Sequence, residues 1–169
     1  PTHFTTKPTP FPHPRPTHGW AVALRHHAAA AVAALRNLGA KKISIATPYR
    51  AWNNDKLRDY MSAAGFEVLN AEGDLQAAAA GPQGINDHDP ETVVAFAERV
   101  CRDDADVLFC GCTAWRAMEA VEELEARTGK PVVTSNQATI WAALRALGVD
   151  VPIVGSGRLL QGSSAHAAC

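Results

Sequence analysis

The hydrophobic and polar positions of the chain fall into two alternating kinds of segment between residues 20 and 160. Short apolar runs, several rich in β-branched residues, predict strands at 42–47, 66–69, 106–110 and 131–134. Longer segments with apolar residues three or four positions apart predict helices at 21–38, 54–64, 89–101, 114–127 and 136–147. The predicted buried stripe of the last helix is Ile140, Trp141, Leu144 and Leu147. The stretch 72–88 follows neither pattern and is predicted to be a loop.

Strands that alternate with helices predict right-handed βαβ units around a parallel sheet. The expected fold class is therefore α/β, a four-stranded parallel sheet flanked by helices, in a single domain over residues 20–160. Ligands of such sheets bind beyond the carboxyl ends of the strands. Three segments are expected to lie there: 47–49, 110–113 and 135–137.

The two ends of the chain differ in composition from its middle. The first acidic residue is Asp55 and the last is Asp150, and residues 1–19 hold six of the eleven prolines and three histidines. A segment of this kind, without aliphatic side chains, cannot bury apolar surface. We therefore expect residues 1–19 to form a disordered leader, and the small, polar residues 161–169 to form a disordered tail.

Composition and charge exclude several classes of protein. Apolar residues make up 47% of the chain and charged residues 20%, as in soluble globular proteins, and no apolar run is long enough to span a membrane. The formal net charge of -1 argues against a nucleic-acid binder. Four cysteines are too few for a disulfide scaffold and no signal peptide is recognisable, so we expect a cytoplasmic location.

Cys112 is the leading candidate for a catalytic residue. It lies on a glycine-flanked turn between the third predicted strand and the next predicted helix, whose N-terminus would stabilise a thiolate. The alternative is a small buried hydrophobe in a tight turn. Cys110, still inside the strand, is expected to pack, and Cys101 is expected in the core. The second ligand pair that a zinc site needs is missing, so we expect no metal.

Other candidates lie at the same edge of the predicted sheet. The hydroxyl of Tyr49 would reach the mouth of the sheet, unless Tyr49 is simply a half-buried surface residue. Ser135 can cap the last helix, and Asn136 offers donors to a carboxylate at that helix end. Asn86 lies in a segment that could fold over the site, although a turn-forming asparagine explains it equally well.

These segments resemble the maleate cis-trans isomerase and arylmalonate decarboxylase branch of the Asp/Glu racemase superfamily. The resemblance covers about residues 27–160, and its motifs agree in order and spacing. The motifs are TPY at 47–49 with Asn53, GCT at 111–113, GKPVVTSNQA at 129–138 with Trp141, and GRLL at 157–160. The CT and SNQ pieces are similar to the isomerases, where the decarboxylases differ.

The resemblance implies a cofactor-independent enzyme with two pseudo-symmetric α/β lobes, each of which presents a cysteine to the substrate. This chain matches the second, flavodoxin-like lobe of the Asp/Glu racemase fold, so Cys112 would be the second-lobe catalytic cysteine. The substrate-binding residues would be Tyr49, Asn86, Thr113, Ser135 and Asn136. We expect that the first lobe is absent from this chain and that the leader stands in its place, as a shifted reading frame or a truncated gene would produce.

The expected function is isomerisation of a small dicarboxylate, of the maleate-to-fumarate type, without metal or nucleotide. Arylmalonate decarboxylation and amino-acid racemisation are alternatives, because both share the thiol proton transfer. An inactive remnant that only binds carboxylates is a third. The expected partner is a small dicarboxylate or arylmalonate-type substrate rather than nucleic acid or membrane, and a homodimer is one way in which the half-cleft could be closed.

Overall fold

The short apolar runs form one parallel sheet in the computed structural model, which describes residues 18–161. Its strands are β1 (Lys42–Thr47), β2 (Glu67–Gly73), β3 (Val107–Cys110) and β4 (Val132–Thr134). They lie in the order β2-β1-β3-β4, and each neighbouring pair is parallel. The predicted α/β class and all four predicted strands are confirmed.

Helices connect and flank these strands. In the described part of the chain they are α1 (His18–Asn37), α2 (Ala51–Ala63), α3 (Leu75–Ala79), α4 (Gly81–Asp87), α5 (Pro90–Val100), α6 (Val121–Thr128), α7 (Ser135–Ala146) and α8 (Gly157–Leu160). The start of α1 falls inside the segment expected to be a leader. The rest of that leader, 1–17, and residues 162–169 of the expected tail lie outside the described residues. Within 18–161, no helix has both the length and the apolar character that a membrane span requires.

The segment 72–88 is not the predicted loop. It completes β2, which pairs with β1 as far as Gly73, and then forms α3 and α4. The Asp74 carboxylate caps α3 by accepting the N–H groups of Gln76 and Ala77, at 2.9 and 3.2 Å. These helices of five and seven residues are too short to show a repeating apolar stripe, so periodicity could not reveal them.

The helix predicted at 114–127 is interrupted. Residues Arg116–Met118 form one 3₁₀ turn, and α6 begins only at Val121. The preceding Trp115 is 1% exposed. Because this large ring occupies the core, the chain takes a non-helical path before α6, which an alanine-rich sequence does not reveal.

Thr134, rather than Ser135, caps α7. The Thr134 hydroxyl accepts the backbone N–H of Gln137 at 3.1 Å, and the Gln137 side-chain carbonyl accepts the N–H of Thr134 at 2.8 Å. This reciprocal pair is a capping box. Ser135 is consequently the first helical residue, and the prediction that it caps the helix is wrong.

The buried stripe predicted for α7 is wrong at two of its four positions, whereas Trp141 and Leu144 are partly buried and Trp141 packs against the hydrophobic core. Ile140 is 37% exposed and Leu147 is 76% exposed, whereas Gln137 and Ala138 in the first turns are fully buried. The adjoining strand β4 lies at the edge of the sheet and has only three residues. It therefore offers α7 little surface beyond its first turns.

Two hydrophobic clusters cover the two faces of the sheet. One contains side chains of α1, β1 and α7, among them Leu35 and Ile45. The other joins β3 to α5 and α6 and contains Cys110, Cys112 and Trp115. The cysteine turn is therefore built on the α5–α6 side of the sheet.

A buried carboxylate, that of Glu125 on α6, connects β4 to α8. Glu125 is 8% exposed and accepts the N–H of Val132 at 3.0 Å and the N–H of Arg158 at 3.1 Å. Burial raises the pKa of this carboxyl, and the two hydrogen bonds partly oppose that rise.

Glu125→Ala is expected to lower the free energy of unfolding by about 2–3 kcal/mol, because two backbone N–H groups lose their acceptor. Urea unfolding of the full chain measures this, and Glu122→Ala, at an exposed position of the same helix, should change it by less than about 0.5 kcal/mol.

The pH dependence of stability gives a second test of Glu125. Since folding raises the pKa of the Glu125 carboxyl, the folded state binds the proton more tightly than the unfolded state does. The native chain should therefore gain stability relative to Glu125→Gln as the pH falls from neutral toward about 4.3. Equal stability of the native chain and Glu125→Ala would contradict the prediction.

Candidate active site

Cys112 lies two residues beyond the end of β3 and is 8% exposed. The preceding Gly111 donates its N–H to the carbonyl of Ala46 at 2.9 Å, and a methyl group on Gly111 would lie 3.1 Å from the Phe109 ring. Neighbouring side chains therefore pack closely against the backbone where the turn leaves the sheet. Because α6 begins only at Val121, the N-terminus of the next α-helix along the chain does not adjoin Cys112, and the prediction that this helix end stabilises its thiolate is wrong.

The other described cysteines have different surroundings. Cys110 is fully buried, and burial raises the pKa of its thiol to about 12, with a further contribution from Cys101. It therefore remains a protonated, packed thiol, as predicted. Cys101, at the end of α5, is partly exposed rather than in the core, and burial raises its pKa as well. Cys112 is thus the described cysteine that lies at the carboxyl edge of the sheet.

Tyr49 brings a phenol from the end of β1 to Cys112. Its half-buried ring packs against the cluster that contains Cys112. Burial raises the pKa of the Tyr49 phenol, and the neighbouring Cys112 side chain raises it further. The phenol therefore stays neutral and offers an O–H donor beside the thiol.

The backbone at Tyr49 is held by Asn54, a residue that sequence analysis did not select. The Thr47 hydroxyl donates to the Asn54 side-chain carbonyl at 2.7 Å, and the Asn54 amide donates to the Tyr49 carbonyl at 3.5 Å. A methyl group on Gly73 would collide with that same carbonyl. The resemblance pointed to Asn53, but Asn54 is the buried amide, at 3% exposure. An asparagine on the inner face of a predicted helix was the available signal.

Asn136 and the Cys112 turn are in direct contact. The Asn136 side-chain amide donates to the Thr113 carbonyl at 3.1 Å, and Ser135 is half-buried beside it at the start of α7. The ends of β1, β3 and β4 thus contribute Tyr49, the cysteine turn and Asn136 to one edge of the sheet.

Asn86 is placed differently from the other predicted residues. It is exposed on α4, and among residues 27–161 no hydrogen bond joins it to another predicted site residue. Its neighbour Ile85 packs against the cluster that contains Cys112. The helix, rather than the asparagine itself, is therefore in contact with the site.

One thiol, one neutral phenol and one amide constitute the candidate site. Hydroxyl and amide donors suit a carboxylate, and a thiol can add to a carbon or move a proton. In the part of the chain that the structure describes, no three His, Cys, Asp or Glu side chains are grouped so that they could hold a metal ion.

The fold and the position of Cys112 define a flavodoxin-like α/β protein with a thiol at the carboxyl edge of its sheet. The family model described as arylmalonate decarboxylase matches residues 22–160, and the chain belongs to that family. The predicted relationship to the maleate isomerase and arylmalonate decarboxylase branch is thereby confirmed.

Individual relatives come from both sides of this branch. The chain is 33% identical over 142 residues to a maleate isomerase of Pseudomonas putida, which covers 80% of this chain and 54% of that protein. It is 30% identical over 132 residues to an arylmalonate decarboxylase of Bordetella bronchiseptica, covering 76% and 54%. The chain also superposes on a solved structure of Nocardia farcinica maleate cis-trans isomerase, with a TM-score of 0.74 at 28% identity, covering 80% of this chain and 54% of that chain. That structure is of a Cys-to-Ser mutant with a covalently bound succinylcysteine intermediate. The chain spans about half the length of the curated relatives it matches.

Proposed function

We propose that this chain is the Cys112-containing part of a cofactor-independent, cysteine-dependent enzyme that isomerises maleate to fumarate. The observation that carries the proposal is the proximity of the Cys112 thiol to the neutral Tyr49 phenol at the carboxyl edge of the sheet. The similarity to maleate isomerases supports it. The succinylcysteine in the Nocardia structure supports a route through a thiol adduct.

In the proposed reaction, Cys112 is the proton-handling thiol. A second thiolate, opposite Cys112, adds to one alkene carbon of maleate, and the Cys112 thiol gives its proton to the other carbon. The former double bond is then a single bond, about which the adduct rotates. The Cys112 thiolate removes a proton from the same carbon as the carbon–sulfur bond breaks, so that fumarate leaves and both thiols regain their starting states.

The donors at the sheet edge would bind the carboxylates of the substrate. The Tyr49 phenol and the Ser135 hydroxyl can each donate a hydrogen bond, and Asn136 has a second amide hydrogen besides the one that Thr113 accepts. These fixed donors would also stabilise the enediolate that forms as the thiolate adds. Asn86, on α4, would approach a bound substrate from the side.

Arylmalonate decarboxylation is the second candidate. The matching family model and the Bordetella relative favour it, and it needs the same proton transfer by Cys112. A racemase-like proton transfer would use the same thiol. A cytoplasmic location and a homodimer stay predictions.

Proton NMR with maleate, an arylmalonate and aspartate as substrates distinguishes these reactions. When the part of the Pseudomonas putida maleate isomerase that this chain does not match is supplied by fusion, the expected result is the appearance of the fumarate vinyl signal, with no change of the other two substrates and no effect of EDTA or dialysis. Decarboxylation of the arylmalonate with maleate unchanged would favour the second candidate. Activity that dialysis removes and a metal or nucleotide restores would contradict the cofactor-free reaction.

A further inference from the structure

His88, Asp74 and Trp115 meet beside the turn that contains Cys112. Trp115 follows Cys112 by three residues, and its indole N–H donates to His88 Nδ1 at 3.4 Å. The same Nδ1 lies 3.8 Å from Asp74 Oδ2. A single ring nitrogen therefore faces one hydrogen-bond donor and one acceptor.

Both partners of His88 are held in place by other contacts. Oδ1 of Asp74 accepts the N–H groups that cap α3, which leaves Oδ2 facing His88. The Trp115 ring packs edge-on against Phe96, with 6.2 Å between ring centroids and an interplanar angle of 72°. The imidazole is consequently the part of the trio that can change partner.

The protonation state of an imidazole decides which kind of partner each of its ring nitrogens can bond. A neutral imidazole can accept the Trp115 N–H through the Nδ1 lone pair, whereas a protonated imidazole has N–H donors at both nitrogens. Protonated Nδ1 can donate to Asp74 but can accept nothing from Trp115. The other charged groups near the ring are Asp89, at the start of α5, and Arg116, in the 3₁₀ turn, which interacts with Asp89.

We propose that His88 is a positioning residue that holds the Cys112 turn through Trp115 when it is neutral, and releases Trp115 in favour of Asp74 when it is protonated. The segment from Asp74 to His88, which includes α3 and α4, is thereby joined to the turn in a pH-dependent way. The consequence for catalysis rests on the proposed function, but the exchange of partners does not.

Nitrogen-15 NMR of the indole groups in the full chain tests the exchange without substrate. The Trp115 indole resonance, assigned with Trp115→Phe, should shift as the pH is lowered from about 8 to about 5.5. The Trp141 resonance, from α7, is the internal control and should stay constant. In His88→Gln, whose side-chain carbonyl can accept the N–H but cannot titrate in this range, the Trp115 resonance should also stay constant. A constant Trp115 resonance in the native chain, or an unchanged shift in His88→Gln, would overturn the proposal.

Alkylation of Cys112 by iodoacetamide, mapped by mass spectrometry, tests the effect on the turn. His88→Phe, which lacks the acceptor, should react several-fold faster than the native chain at about pH 8, and this ratio should approach one at about pH 5.5. His88→Gln should match the native rate at the higher pH and fall below it at the lower pH, and Cys101 should react equally in all three proteins.

Equal Cys112 rates in the three proteins at both pH values would refute the positioning role. If His88→Phe fails to fold, the comparison of His88→Gln with the native chain gives the same decision. If the NMR shift is seen but maleate is not turned over even when the part of the Pseudomonas putida maleate isomerase that this chain does not match is fused to it, the proposed function is contradicted and the partner exchange stays intact.

Discussion

Maleate isomerisation is expected to rise by about 10³-fold or more when the part of the Pseudomonas putida maleate isomerase that this chain does not match is fused in place of residues 1–19. The proposed reaction needs two groups on opposite faces of the substrate and a cleft that excludes water. In the described part of the chain, Cys112 is the cysteine at the carboxyl edge of the sheet, and Cys110 is a buried thiol with its pKa raised to about 12. The opposing thiolate must therefore come from outside the described part of this chain.

Fumarate formation at equal protein concentrations, followed by NMR, measures this increase. A fusion to an unrelated α/β domain of the same length is the matched control, because it reproduces any gain in solubility without supplying a facing cleft. If the unfused chain turned over maleate as fast as the fusion, the second group would have to lie within this chain or in a second copy of it.

The elements that the sequence predicted correctly are those with local signals. β1 is a β-branched run followed by a polar turn. Asp89 caps α5 directly before Pro90, and its side chain accepts the N–H of Thr92 at 2.9 Å. The elements that it missed depend on distant contacts. The 3₁₀ turn at Arg116–Met118 follows the burial of Trp115, and the exposure of Ile140 and Leu147 on α7 follows from the shortness of β4.

The residues of the candidate site likewise fall into those that the sequence could predict and those that it could not. The parallel topology alone brings strand ends together, so Tyr49, Cys112 and Asn136 could be proposed from their positions after β1, β3 and β4. The supporting residues could not be proposed, because their roles arise from partners that the fold brings near. His88 and Trp115, for example, are 27 positions apart in the chain.

The spacing of Cys110 and Cys112 does not by itself separate the packed thiol from the thiol at the site. They lie two positions apart in the chain, and both belong to the same hydrophobic cluster. The difference is that Cys110 pairs within the sheet, opposite Ala46 and Thr134, whereas Cys112 has passed beyond the last paired residue of β3. Position relative to the strand end, rather than residue type or spacing, therefore separates the packed thiol from the proposed catalytic one.

Cys112→Ala in the fusion described above is expected to lower kcat for maleate by about 10³-fold or more, because no other group replaces the proton-handling thiol. Cys110→Ala is the matched control, since it also removes a thiol sulfur, but at a position two residues away that does not touch substrate. Its kcat should stay within a few-fold of the parent fusion, although the small cavity costs some stability. Circular dichroism and thermal unfolding of both variants establish that each is folded when its rate is measured. A Cys112→Ala fusion that retains the parent rate, or a Cys110→Ala fusion that loses it while folded, would place the chemistry on a different residue.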